Sequence, residues 1–130
     1  MKKLVVLFLV IGLSSCKSQE KKEIAFVNID VVTFQKSMQK KDIQLVDVRT
    51  SKEYKAGHLK SAVLINFFDT DFKAISIKKL DKKKPVYVYC RSGNRSAKAA
   101  KIYKEAGFTK VYNLIDGFNA WSAKGLEIEK

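Results

Sequence analysis

Hydrophobic and polar positions along this chain fall into short runs that switch repeatedly between two periods. Residues 25–28 form a brief apolar run. Val31, Phe34 and Met38 then recur at helical spacing over residues 31–40, with Asn28 or Asp30 available as a cap. Residues 44–48 read as a buried strand. Thr50, Ser51, Lys52 and Glu53 match a capping box, which predicts a short helix through Lys55 closed by Gly57. A third strand is expected at residues 63–66. The mixed pattern of Phe72, Ile75, Ile77 and Leu80 predicts a helix over residues 68–80, ahead of a charged loop and Pro85. Val86, Tyr87, Val88 and Tyr89 make the clearest strand, and residues 96–106 the clearest helix, closed by Gly107. Residues 110–115 predict a fifth strand and residues 118–124 a last helix, with Gly125 just beyond.

Strands that alternate with helices, and that are apolar almost throughout, predict an α/β fold with a mostly parallel sheet covered on both faces. Active sites in such sheets lie at the carboxyl ends of strands. Residues 90–95, between the clearest strand and the clearest helix, hold that position.

The first residues follow a different logic. Lys2 and Lys3 precede an apolar run from Leu4 to Leu13, the charged and apolar regions of a secretory signal. The run is too short to span a bilayer, which takes about 20 apolar residues. Leu13, Ser14, Ser15 and Cys16 resemble the lipobox of bacterial lipoproteins, which implies cleavage before Cys16 and its lipidation. The expected organisation is a signal peptide at 1–15, lipidated Cys16 with a polar tether at 16–23, and one domain at 24–130. Several acyl chains on one residue would hold that domain at a membrane in the cell envelope.

Length and composition fit one domain, with 130 residues, 46% hydrophobic and 30% charged. The charge is strongly positive, with 26 Lys+Arg against 13 Asp+Glu. Loss of Lys2 and Lys3 with a leader leaves 24 against 13, or +11. Nucleic acid, an anionic membrane or small anionic substrates could each account for it. The lysines are scattered in short clusters such as Lys82, Lys83 and Lys84, as on solvated faces. No zinc-finger spacing, aromatic RNA-binding signature or helix-turn-helix supports nucleic acid, and none is expected as a partner. A monomer is expected.

With Cys16 lipidated, Cys90 is the only free thiol of the mature chain, so it is either an inert buried group or a reactive one. Its surroundings favour reactivity. Cys90, Arg91, Ser92, Gly93, Asn94, Arg95 and Ser96 lead into a helix start, where unpaired N–H groups and partial positive charge favour thiolate over thiol. Gly93 allows positive φ, so that consecutive N–H groups can converge on the sulfur. Arg91 and Arg95 add positive potential, and Ser96 is available to cap the helix.

This loop resembles the active-site loop of single-domain rhodaneses. Asp47-Val48-Arg49, Glu53-Tyr54 and Gly57-His58-Leu59 resemble that family's first signature, and residues 113–121, from Asn113 to Trp121, its carboxyl-terminal one. Asp116 stands where the family more often has the first of two glycines, a departure that bears on packing. The likeness covers about residues 24–128. It implies a five-stranded, mostly parallel sheet in a three-layer α/β/α arrangement, and sulfur transfer through a persulfide on Cys90, with no cofactor and no metal. The donor would be a small sulfur anion such as thiosulfate, and the acceptor a thiol or cyanide.

Asp47 and Arg49 are expected to pair as structural support beneath the loop. His58 is expected to be packed and hydrogen-bonded, because an ionised thiol needs no base. Trp121, Tyr54, Phe67 and Phe68 are assigned to the core. Two other functions compete. A cysteine phosphatase or arsenate reductase needs an arginine six positions after the cysteine, where Ser96 stands and Arg95 comes one residue early. A non-catalytic persulfide carrier would keep the loop without rapid turnover.

Overall fold

The computed structural model describes residues 25–130, together with Gly12. The expected leader, Cys16 and the tether up to residue 23 lie outside the described residues, except for Gly12.

Five strands form one sheet in the order β1-β5-β4-β2-β3. They are β1 (Val27–Ile29), β2 (Gln44–Asp47), β3 (Val63–Leu64), β4 (Val86–Tyr89) and β5 (Val111–Leu114). Every pairing between them is parallel. Five helices connect or follow them: α1 (Val31–Ser37), α2 (Ser51–Ala56), α3 (Phe72–Lys79), α4 (Asn94–Glu105) and α5 (Gly117–Ala123).

Strand alternation sends successive side chains to opposite faces and so divides the core in two. Val46, Val48, Val86 and Val88 pack with Phe72 of α3, Leu80 just beyond it, and Ala99, Ala100 and Tyr103 of α4. Leu45, Tyr87 and Tyr89 turn the other way, onto Phe34 of α1 and Trp121 of α5. The result is the three-layer α/β/α arrangement.

Helix starts follow their caps. Asp30 accepts from the Thr33 N–H at 2.8 Å and starts α1. Thr50 and Glu53 form the expected capping box of α2, the Glu53 N–H donating to Thr50 Oγ1 at 3.2 Å and the Thr50 N–H to Glu53 Oε1 at 3.3 Å.

Several expectations are corrected, among them the third strand, which ends at Leu64 rather than at residue 66. Residues 68–71 are not helical. The Asn66 side chain accepts the Phe68 N–H at 3.0 Å and captures the backbone in a turn, so α3 begins only at Phe72. Phe68 is accordingly not a core residue but 64% exposed. Helix α4 begins at Asn94, two residues before the expected start, because Gly93 takes the cap position at φ +103°.

Candidate active site

Strand β4 is the central strand, and Cys90 follows its last residue at the carboxyl end of the sheet. The loop from Cys90 to Gly93 turns back so that its own amides meet the sulfur. The Gly93 N–H donates to Cys90 Sγ at 3.1 Å, and the Ser96 hydroxyl donates to the same sulfur at 3.3 Å. Ser96 is therefore not the helix cap expected from its residue type. It sits in the first turn of α4, wholly buried, with its hydroxyl turned inward onto the thiol.

Cys90 is 1% exposed. Burial pushes its thiol pKa up, but hydrogen bonds from the Ser96 hydroxyl and from the Ser96, Gly93 and Ser92 amides outweigh burial and hold it below the ordinary thiol value. Burial alone would make an inert thiol; here the hydrogen bonds of the loop work against it and lower the pKa. Around the sulfur, Arg91, Ser92 and Asn94 of the loop are exposed. Removing the hydroxyl isolates its share of that lowering. Ser96→Ala should move the pH midpoint of Cys90 alkylation up, as loss of one hydrogen bond to the charged form implies. An unchanged midpoint would leave the main-chain amides as the whole cause.

The two loop arginines differ. Arg91 is exposed and lines a cavity of about 320 Å³ together with Arg49, Glu53 and Phe118. Arg95 is committed to Glu53 through two hydrogen bonds of 2.8 and 3.0 Å, so its charge is largely matched. That contact drives the Glu53 carboxyl down to about 2. The Arg95 guanidinium also lies 5.6 Å from the centre of the exposed Phe68 ring.

Asp47 and Arg49 do pair, both buried. Arg49 Nη2 donates to Asp47 Oδ2 at 2.7 Å and to the Gly57 carbonyl at 2.7 Å, and Nε donates to Asp47 Oδ1 at 3.0 Å. Burial disfavours the Arg49 charge, but the Asp47 hydrogen bonds and charge outweigh it and raise the guanidinium pKa. The Tyr89 hydroxyl donates to Asp47 Oδ2 at 2.6 Å. Burial and the Asp47 charge raise the Tyr89 pKa, which keeps that hydroxyl a donor. Arg49 also lies 4.3 Å from the centre of the Phe118 ring, and so ties β2 to α5.

His58 is packed, as expected. Its ring stacks on Tyr54 at 3.7 Å, its Nδ1 lies 2.9 Å from the Tyr54 carbonyl, and its Nε2 lies 3.6 Å from Glu129.

Gly117 is the position that sequence reading undervalued. Its φ is +52°, and a Cβ there would run into the Cys90 carbonyl oxygen and stand 2.8 Å from Arg91 C and O. The close approach lets the Phe118 N–H donate to the Cys90 carbonyl at 2.8 Å and the Asn119 N–H to the Arg91 carbonyl at 3.0 Å. The first turn of α5 thus braces the loop from behind. Asp116, which replaces the more usual glycine, takes the left-handed conformation at φ +59°. Asp tolerates that conformation better than most residues.

The fold and site together define a class: a parallel α/β sheet with a cysteine at the carboxyl end of its central strand, its sulfur hydrogen-bonded within a glycine-turned loop. Comparison with known proteins narrows it. Residues 30–124 match the rhodanese-like domain model, and the chain belongs to that family. Thiosulfate sulfurtransferase GlpE of Vibrio cholerae is 34% identical over 105 residues, covering 80% of this chain and 95% of that protein. GlpE of Coxiella burnetii is 37% identical over 86 residues, covering 66% and 78%. Among solved structures, a rhodanese-like domain protein from Staphylococcus aureus is 31% identical with a TM-score of 0.66, covering 81% of this chain and all of that one. The rhodanese-like domain of an Anabaena protein superposes with a TM-score of 0.72 at 24% identity, covering 81% and 80%.

Proposed function

We propose that the protein is a sulfurtransferase that carries a sulfane sulfur on Cys90. The observation that carries this reading is a buried sulfur held below its ordinary pKa by the amides and hydroxyl of its own loop. The thiolate attacks the outer sulfur of a donor such as thiosulfate. A Cys90 S–S bond forms, the donor's S–S bond breaks, and sulfite leaves with that electron pair. The persulfide carries its negative charge on the outer sulfur, and the donors that held the thiolate stand ready to hold it. Attack by cyanide or a thiolate on the outer sulfur then forms the product and returns the Cys90 thiolate. The relatives named as thiosulfate sulfurtransferases support this donor class.

The chain's first residues support an exported protein tethered through lipidated Cys16 to a membrane of the cell envelope. Purified chain should turn over thiosulfate and cyanide to thiocyanate, and Cys90→Ser should not. A second reading, a persulfide carrier, draws on the near-complete burial of Cys90. It also draws on a Bacillus subtilis relative named a putative sulfur carrier protein, 33% identical over 82 residues that make up 43% of that protein. A persulfide that forms but turns over negligibly with cyanide would favour the carrier. Hydrolysis of an aryl phosphate that is lost in Cys90→Ser would overturn both in favour of a phosphatase.

A further inference from the structure

The net positive charge is not spread evenly over the fold. Because all five strands are parallel, their amino ends lie toward one pole and their carboxyl ends toward the other. Residues 40–43, 78–84 and 104–110, which precede β2, β4 and β5, bring nine lysines to the amino pole against three acids, Asp42, Asp81 and Glu105. Eight of those lysines are exposed. The three segments are tied together: Gln44 Nε2 donates to the Asp81 carbonyl at 2.8 Å, and the Thr109 N–H to the Lys82 carbonyl at 3.1 Å. The carboxyl pole is balanced. Residue 30 and residues 48–56, 65–72, 90–95 and 115–119 hold five acids and five bases, among them all three arginines. Most of the surplus among the described residues therefore lies at the amino pole, away from Cys90, where it does little to recruit small anions to the site.

A second feature selects the partner. Strand β1 runs parallel to β5, with Val27 opposite Tyr112, so the chain enters the fold from the amino pole at Ala25. The segment carrying Cys16 joins the domain at the lysine-rich end. No helix among the described residues is long and apolar enough to cross a membrane, so contact there would be peripheral. Clusters of four to eight basic residues beside a membrane anchor bind anionic headgroups, and one acyl signal together with a polybasic patch gives firm attachment.

We propose that the amino pole, centred on Lys40, Lys41, Lys82, Lys83, Lys84 and Lys110, is a docking surface for an anionic lipid membrane. Docked this way, the domain presents its Cys90 pole outward to donor and acceptor. The orientation rests on the anchored reading above; the lipid preference rests on the charge alone.

The test uses the chain as purified from expressing cells, mixed with vesicles of phosphatidylcholine or of an equal mixture with phosphatidylglycerol. Amine-reactive labelling read by mass spectrometry reports each lysine. At low salt the phosphatidylglycerol vesicles should protect Lys82, Lys83, Lys84 and Lys110 about fivefold relative to phosphatidylcholine, while Lys52 and Lys55 near the site stay fully labelled. High salt should erase the difference. Replacing Lys82, Lys83 and Lys84 by Gln should abolish protection of Lys110 and leave sulfur transfer unchanged. Equal labelling at the two poles, no dependence on lipid charge, or protection by a DNA duplex but not by anionic vesicles would overturn the proposal. The intact mass of the same sample reports acylation of Cys16 separately, and a chain without acyl groups should still show the low-salt contrast.

Discussion

Gly117→Ala should lower kcat/KM for thiosulfate by about a hundredfold, because a shift of the reacting group by about 1 Å is enough to cost that much. No side chain of Gly117 touches a reactant. The effect comes from the added methyl, which meets the Cys90 carbonyl oxygen and the Arg91 main chain and must push α5 and the loop apart. That displacement breaks the bonds from the Phe118 and Asn119 amides and tilts the Gly93 amide off the sulfur. The pH midpoint of Cys90 alkylation should rise with the loss of turnover, which a purely global destabilisation would not produce. Gly125 supplies the control. Its φ is +64°, but nothing lies within 4 Å of an added Cβ. Gly125→Ala should therefore cost only left-handed strain, about 1–2 kcal/mol of stability, with activity intact. Equal activity in the two variants would remove the bracing role of α5.

Asp47→Ala is expected to be strongly destabilising. It leaves the Arg49 guanidinium buried without its carboxylate and the Tyr89 hydroxyl without its acceptor. Breaking a buried ion pair from one side costs about 3–5 kcal/mol. Against a typical domain stability of about 5–15 kcal/mol, that should lower Tm by more than about 10 °C. Tyr89→Phe keeps the ring but removes two hydrogen bonds, the one donated to Asp47 and the one accepted from the buried Leu59 N–H, so it should cost about 2–3 kcal/mol. A loss below about 1 kcal/mol in Asp47→Ala would mean that Arg49 finds water or another acceptor, and that the pair does not fix the wall of the site.

Most of the architecture was legible because it depends on local chemistry. The alternation in Val86, Tyr87, Val88 and Tyr89 is what divides the core between two faces, and Thr50 with Glu53 declares a helix start without any tertiary help. The misreadings arose where a side chain bonds to the backbone in a way that residue type does not announce. Phe68 reads as apolar and helical, yet the Asn66 carboxamide claims its N–H and leaves the ring in solvent beside Arg95. Ser96 reads as a cap, yet Gly93 takes that position at φ +103°, which glycine adopts more readily than serine, and the Ser96 hydroxyl is freed to face the sulfur. The pairing of Arg95 with Glu53 spans 42 residues and has no local signature at all. Gly117 was visible as part of a motif, but its function depends on how close α5 comes to the loop, which only the fold determines.

Burial of Cys90 sharpens what the site requires. Desolvation alone would push the thiol pKa up and leave a small, unreactive group at the end of a strand. The amides of Ser92, Gly93 and Ser96 with the Ser96 hydroxyl reverse that outcome, and Gly117 keeps the loop in the shape that aims them.

The function proposed for Cys90 requires that its sulfur accept another sulfur. Intact-mass measurement of the purified chain after thiosulfate treatment should show a gain of one sulfur atom, removed by cyanide and absent from Cys90→Ser. A chain whose mass is unchanged by thiosulfate, or whose added sulfur persists in Cys90→Ser, would contradict it.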